Sequence, residues 1–125
     1  MSQLTPHRAF KSAWFAKAAR KARITDDELC HAIQQVVKGQ VDDLGGGVFK
    51  KRANDNMHRS IILARAGQWW TYQYLFAKRD RDNIDDDELQ AFRKLASAYA
   101  KLTSAGLNQL VYDEELVEIC HDSET

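Results

Sequence analysis

Little in this sequence would hold a fold together from outside its own packing. One proline stands among 125 residues, so nothing beyond Pro6 blocks a regular backbone. No stretch approaches the roughly 18 apolar residues that a membrane-spanning helix needs, and the first residues lack the apolar run and small-residue cleavage site of a secretory leader. A cytoplasmic protein with no membrane partner is expected. Two cysteines, Cys30 and Cys120, could in principle pair, but two lone thiols in a cytosolic domain of this size are expected reduced and buried. A histidine follows each, but Cys30-His31 and Cys120-His121 have neither CxxC nor HxxxH spacing, so no metal site and no cofactor is expected.

Net charge is also missing, but only in the sum. Residues 1–81 carry 15 Lys/Arg against 7 Asp/Glu, a balance of +8, whereas residues 82–125 carry 3 against 11, a balance of −8. The reversal falls inside FAKRDRDNIDDDEL (76–89). Two readings stay open: a polyanionic partner for the first part, such as nucleic acid, or cations and anions that face each other in the fold. The rest of the composition, 44% hydrophobic and 29% charged, is that of a globular chain, and the length suits one domain over residues 1–125 that buries about two-thirds of its unfolded surface.

The elements read in order. KSAWFAKAARKA (11–22) carries Trp14, Phe15, Ala18 and Ala19 at helical spacing. Thr25 and Glu28 form a capping box for a second helix whose apolar face is Leu29, Ala32, Ile33, Val36 and Val37, ended by Gly39. From Leu44 the pattern becomes extended: a flexible Gly45-Gly46-Gly47, a strand VFKKR (48–52), a longer strand HRSIILARA (58–66), a two-residue turn at Gly67-Gln68 and a strand WWTYQYLFA (69–77). In that register Arg59 falls opposite Phe76. Asn83 or Asp85 then caps a helix with Leu89, Phe92, Leu95, Ala96, Tyr99 and Leu102 along one face. The acidic residues Asp85 to Glu88 fill its first turn, where exposed N–H groups and the helix dipole favour negative charge. SAGLNQLVY (104–112) adds a turn of helix, and ELVEIC (115–120) a last strand. The fold class is α+β: an N-terminal helical pair on an antiparallel sheet, then a helix and a final strand. Helices are expected on one sheet face, with the other open to a ligand.

Once the acidic run is assigned to a helix start, the cations of residues 48–81 need an account. Lys50, Lys51, Arg52, Arg59, Arg65, Lys78, Arg79 and Arg81 are opposed there only by Asp55 and Asp80. Strand pairing brings several to one end of the sheet, which suits a phosphodiester and the charge it gains during cleavage. A solvated basic edge that discourages aggregation is the plainer alternative. Trp69, Trp70, Tyr72, Tyr74 and Phe76 suggest base stacking, although core packing accounts for most of such a run.

The order of these elements, with FAKRDRDNIDDDEL as its most specific phrase, resembles the RelE/HigB superfamily of type II toxin–antitoxin toxins, in particular its phage-associated RelE-like branch, over about residues 44–120. The resemblance implies a RelE-like fold and a ribosome-dependent endoribonuclease that cuts mRNA without a metal. Its partners would be the ribosome, mRNA and a cognate antitoxin that holds it inactive in a hetero-oligomer. The RNA's own 2′-hydroxyl would attack the adjacent phosphorus. Carried over by position, Lys50, Arg52, Arg59 and Arg79 would stabilise charge, with Lys51, Arg65, Lys78 and Arg81 binding RNA around them. Several members place a tyrosine or histidine just after the K-R phrase, where this chain has Asp82, Asn83, Ile84 and Asp85. His58 is the remaining titratable candidate, and Lys50 the other possible base. A gyrase-inhibiting relative of the ParE kind and a catalytically inactive RNA-binding relative are the alternatives.

Overall fold

The computed structural model describes residues 8–65 and 69–120. Six strands and four helices alternate as β1 (Arg8–Ser12), α1 (Ala13–Ala22), α2 (Asp26–Val37), β2 (Asp42–Gly45), β3 (Val48–Ala53), β4 (His58–Arg65), β5 (Trp69–Ala77), α3 (Asp86–Ala100), α4 (Ser104–Tyr112) and β6 (Leu116–Ile119). They form one sheet in the order β2-β3-β4-β5-β1-β6. Every pairing is antiparallel except that of β1 with β5. The class is α+β, as the pattern predicts, and β3, β4, β5, α4 and the pairing of Arg59 with Phe76 stand where expected. The turn predicted at Gly67-Gln68 lies outside the described residues.

Two strands escape the sequence pattern. RAFKS, the first part of which precedes the predicted helix, is a strand because it inserts between β5 and β6, and its last residue doubles as the helix cap: Ser12 Oγ accepts from Phe15 N at 3.0 Å. DDLG is a strand because Gly46 and Gly47 turn it back onto β3. Both glycines have positive φ, +67° and +84°, and a Cβ on Gly47 would stand 3.2 Å from the Ala64 carbonyl oxygen. The triplet is thus a tight hairpin turn. Arg93 of α3 clasps it, donating to the Leu44 and Gly45 carbonyls at 2.6 and 3.3 Å.

A bulge between Ile61 and Ile62 adds Gln73 to β5. Residues of β5 therefore switch face midway: Trp70, Tyr72 and Leu75 pack with Phe15, Leu29 and Ile33 under α1 and α2, while Tyr74 and Phe76 pack with Ile61, Ile84 and Ala96 under α3. Tyr72 is buried and donates to the Leu29 carbonyl at 2.7 Å, and burial pushes its phenol far up from the usual tyrosine value. A third cluster, Phe10, Trp69, Leu107 and Leu116, joins α4 to β1 and β6. The expectation of one open sheet face is overturned: helices cover both. β5 carries large apolar side chains on both faces, and burying both requires helices on both.

The acidic run is the start of α3. Asp85 caps it, accepting from Glu88 N at 2.8 Å, while Glu88 Oε1 accepts from Asp85 N at 2.9 Å. Asp85→Ala removes half of this box and is expected to cost about 1 kcal/mol, a fall of about 4 °C in Tm readable by thermal melting. An unchanged melting temperature would remove the cap from the account.

The cysteines also depart from expectation. Cys30 in α2 and Cys120 just after β6 form a disulfide, with Cα atoms 5.3 Å apart across a separation of 90 residues. Both lie against the core under α1 and α2. That proximity arises from tertiary packing and has no local signature in the sequence.

Candidate nucleic-acid interface and active site

The end of the sheet where β3 turns into β4 gathers the cations. Arg52 pairs across strands with Arg59, and Arg59 with Phe76, so the three stand in a row on one face, with Cβ atoms about 5 Å apart between neighbours. Lys50, two residues from Arg52, shares that face. Arg81 joins from beyond β5, its guanidinium 5.5 Å from the centre of the Phe76 ring.

These cations are not equally available. Arg81 is held in a two-pronged ion pair by Glu88 and also donates to the Asn83 carbonyl at 2.9 Å. The pair raises Arg81 and, together with the Asp85 N–H, holds the Glu88 carboxyl below the usual carboxylate value. Arg59 is half-buried and donates through Nη1 to the Asn56 and His58 carbonyls at 3.1 and 3.0 Å. Those bonds aim the guanidinium without neutralising it. Among the described residues, neither Lys50, Arg52 nor Arg59 has an ion-pair partner.

A second group lies around the same end. A cavity of about 560 Å³ is lined by His58, Lys78 and Arg79 together with Met57 and the carboxylates Asp55 and Asp82. Lys78 and Arg79 are exposed, and the nearest carboxylate to Arg79, that of Asp80, is 4.0 Å away with both side chains in solvent. Asn54 Nδ2 stands 3.2 Å from His58 Nδ1, close enough to hold the ring in place. The two groups meet at the turn Asn54-Asp55-Asn56, whose three residues all have positive φ, +53°, +54° and +71°. Asn and Asp tolerate that conformation better than other side chains, and the turn presents the Asn56 carbonyl that Arg59 grips.

The structure thus brings Lys50, Arg52, Arg59 and Arg81 together on one face, and His58, Lys78 and Arg79 around the adjoining cavity. Lys51 points to the other face, paired across from Ser60, and donates to the Gln40 carbonyl at 2.9 Å. Burial and neighbouring Arg52 hold its ammonium below the usual lysine value, against the pull of Asp42. Arg65 closes β4 at the far end of the hairpin, and its side chain lies outside the described residues. Trp69, Trp70, Tyr72 and Phe76 are buried, as core packing requires. Trp14, placed by its spacing on the apolar face of α1, is instead 51% exposed and stacks on Tyr74, ring centres 4.9 Å apart and planes 29° apart. Sequence periodicity gives no sign of this, because Trp14 reaches past the end of β1 to the unpaired part of β5.

A family model described as the RelE toxin of the RelE/RelB toxin–antitoxin system matches residues 7–119. The chain belongs to the RelE toxin family. Membership makes it the toxin of a toxin–antitoxin pair and implies a cognate antitoxin as partner. No curated protein and no solved structure matches the chain. Among the described residues, no helix of this RelE-type toxin is long and apolar enough to cross a membrane.

Proposed function

We propose that this RelE-type toxin is a ribosome-dependent mRNA endoribonuclease that acts in the cytoplasm and needs no metal. The observation that carries this reading is the pair Arg52 and Arg59, directly opposite each other on one sheet face and without an ion-pair partner among the described residues, beside the turn whose Asn56 also lines the cavity that holds His58 and Arg79. Cleavage by the RNA's own 2′-hydroxyl asks three things of a protein: a group that takes the 2′ proton, charge that stabilises the phosphorane-like transition state, and a proton for the departing 5′ oxygen. In this reading the scissile phosphate lies beside the Asn54-Asp55-Asn56 turn, with Arg59 on one side and Arg79 on the other to meet its developing charge. Lys50, Arg52, Lys78 and Arg81 hold the flanking backbone. His58 exchanges the proton, with the Asn54 side chain beside Nδ1 holding the ring in place. Arg81 serves only after Glu88 is displaced or shared.

Mapping of transcript 5′ ends after brief expression tests the activity. New ends inside reading frames are expected; growth arrest without them would favour a gyrase inhibitor of the ParE kind, and neither would favour an inactive relative. His58→Ala tests the proton role. Single-turnover cutting of ribosome-bound message is expected to slow by about 100-fold with the melting temperature almost unchanged, and a rate equal to that of the unsubstituted chain would remove His58 from the mechanism.

A further inference from the structure

Trp14 is the one large apolar side chain on α1 that the core leaves out. Half of its surface meets solvent, and one ring face is taken by Tyr74. Tyr74 in turn contacts Phe76, ring centres 6.0 Å apart, and Phe76 carries the Arg81 guanidinium and stands across from Arg59. Ring contacts therefore lead from the exposed Trp14 through half-buried Tyr74 and buried Phe76 to the row of guanidinium groups. On its other side lies α1, AWFAKAARKA, which has three cations and no acid. Lys17 and Lys21 fall three and seven residues after Trp14, on the same exposed helix face. An exposed ring flanked on both sides by cations matches a partner that alternates flat apolar groups with negative charge, and a single-stranded nucleic acid has that make-up.

We propose that Trp14 is a stacking platform for one unpaired base of the RNA, displaced by a short stretch of backbone from the phosphate at Arg59, with Lys17 and Lys21 taking phosphates beyond it. The proposal deepens the nuclease reading and rests on its RNA substrate. Tyr74 fixes the plane of the indole, so the stacking face is prepared before RNA arrives. Arg52 and Arg59 grip the backbone irrespective of sequence, and Trp14 sets which nucleotide is held flat.

The test uses the full chain and a single-stranded oligoribonucleotide carrying 2′-O-methyl groups, which removes the attacking nucleophile so that binding is read alone by fluorescence anisotropy. Trp14→Ala is expected to weaken binding about 10-fold, and Trp14→Phe, which keeps a ring on Tyr74, to recover most of it. An abasic site scanned along the oligonucleotide should find one position where the loss equals that of Trp14→Ala and the two losses do not add. Equal affinity of Trp14→Ala and the unsubstituted chain would overturn the platform, as would losses that add at every position. Weaker binding of the antitoxin by Trp14→Ala with RNA affinity unchanged would overturn it too, and would assign the ring to the protein partner. The nuclease reading fails separately: an unsubstituted chain that binds the oligonucleotide through Trp14 yet leaves ribosome-bound transcripts uncut keeps the platform and loses the enzyme.

Discussion

Arg59→Ala and Arg79→Ala are each expected to abolish growth arrest by the expressed chain, and to slow single-turnover cutting of ribosome-bound message by about 100- to 1,000-fold. The two arginines reach this outcome differently. Arg79 is exposed and bears only a long, solvated contact with Asp80, so its removal should leave stability within about 0.5 kcal/mol while deleting a freely available guanidinium. Arg59 is half-buried between two backbone carbonyls, which hold its head group in one place before substrate binds. Preorganised charge costs no reorganisation at the moment of reaction, so Arg59→Lys should also fail, because a lysine cannot keep both carbonyl bonds and a free edge toward a phosphate. Loss of the carbonyl bonds should cost about 1 kcal/mol, too little to unfold the chain. If both alanine variants stay toxic at equal expression, the cation row is not the site.

The contrast between these two residues also shows how far the sequence could be read. The hairpin of β4 and β5 was legible because β-branched and aromatic residues fill both strands, and the same register put Arg59 opposite Phe76. α3 was legible because Asp85, Glu88 and the apolar residues that follow mark a helix start by local chemistry alone. What failed depended on distance along the chain. β1 takes its strand form from β5 and β6, roughly 60 and 110 positions away in the pairing Arg8–Trp69 and Ala9–Ile119, and nothing within RAFKS signals it. The bulge at Gln73 exchanges the faces of β5, which is why alternation along WWTYQYLFA does not say where the core lies. The same shift brings Tyr74 to the side where Phe92 meets it, and Trp14 closes over its exposed ring.

The opening asymmetry of charge resolves in part by pairing. Arg81 meets Glu88 and Arg8 meets Glu118, each a cation of the first part against an anion of the second. These two pairs tie α3 to the end of β5 and β6 to β1. Among the described residues, Lys50, Arg52, Arg59 and Lys78 enter no ion pair and Arg79 has only its long, solvated contact with Asp80, and all five lie toward the turn end of β3, β4 and β5. Self-cancellation therefore accounts for the strand and helix junctions, and the cations at the turn end are those that the proposed RNA would meet.

The largest expected effect on stability comes from the feature the sequence concealed. The Cys30–Cys120 bridge closes a loop of 90 residues, and loop-closure entropy at that length is worth about 4 kcal/mol. It ties α2 to the end of β6, a strand otherwise held by contacts such as its ladder with β1, the Arg8–Glu118 pair and the packing of Leu116 and Ile119. Replacing both cysteines with alanine keeps most of the apolar contact while freeing the unfolded chain, and is expected to lower Tm by about 15 °C. The unsubstituted chain should fall by a similar amount when a thiol reductant is added, and the double variant should ignore the reductant. Because the candidate site lies on β3, β4 and β5, the variant should still cut message at temperatures well below its own transition. Equal melting of the two proteins under oxidising conditions, with thiols of the unsubstituted chain open to alkylation after denaturation, would show that α2 and β6 are held by packing alone.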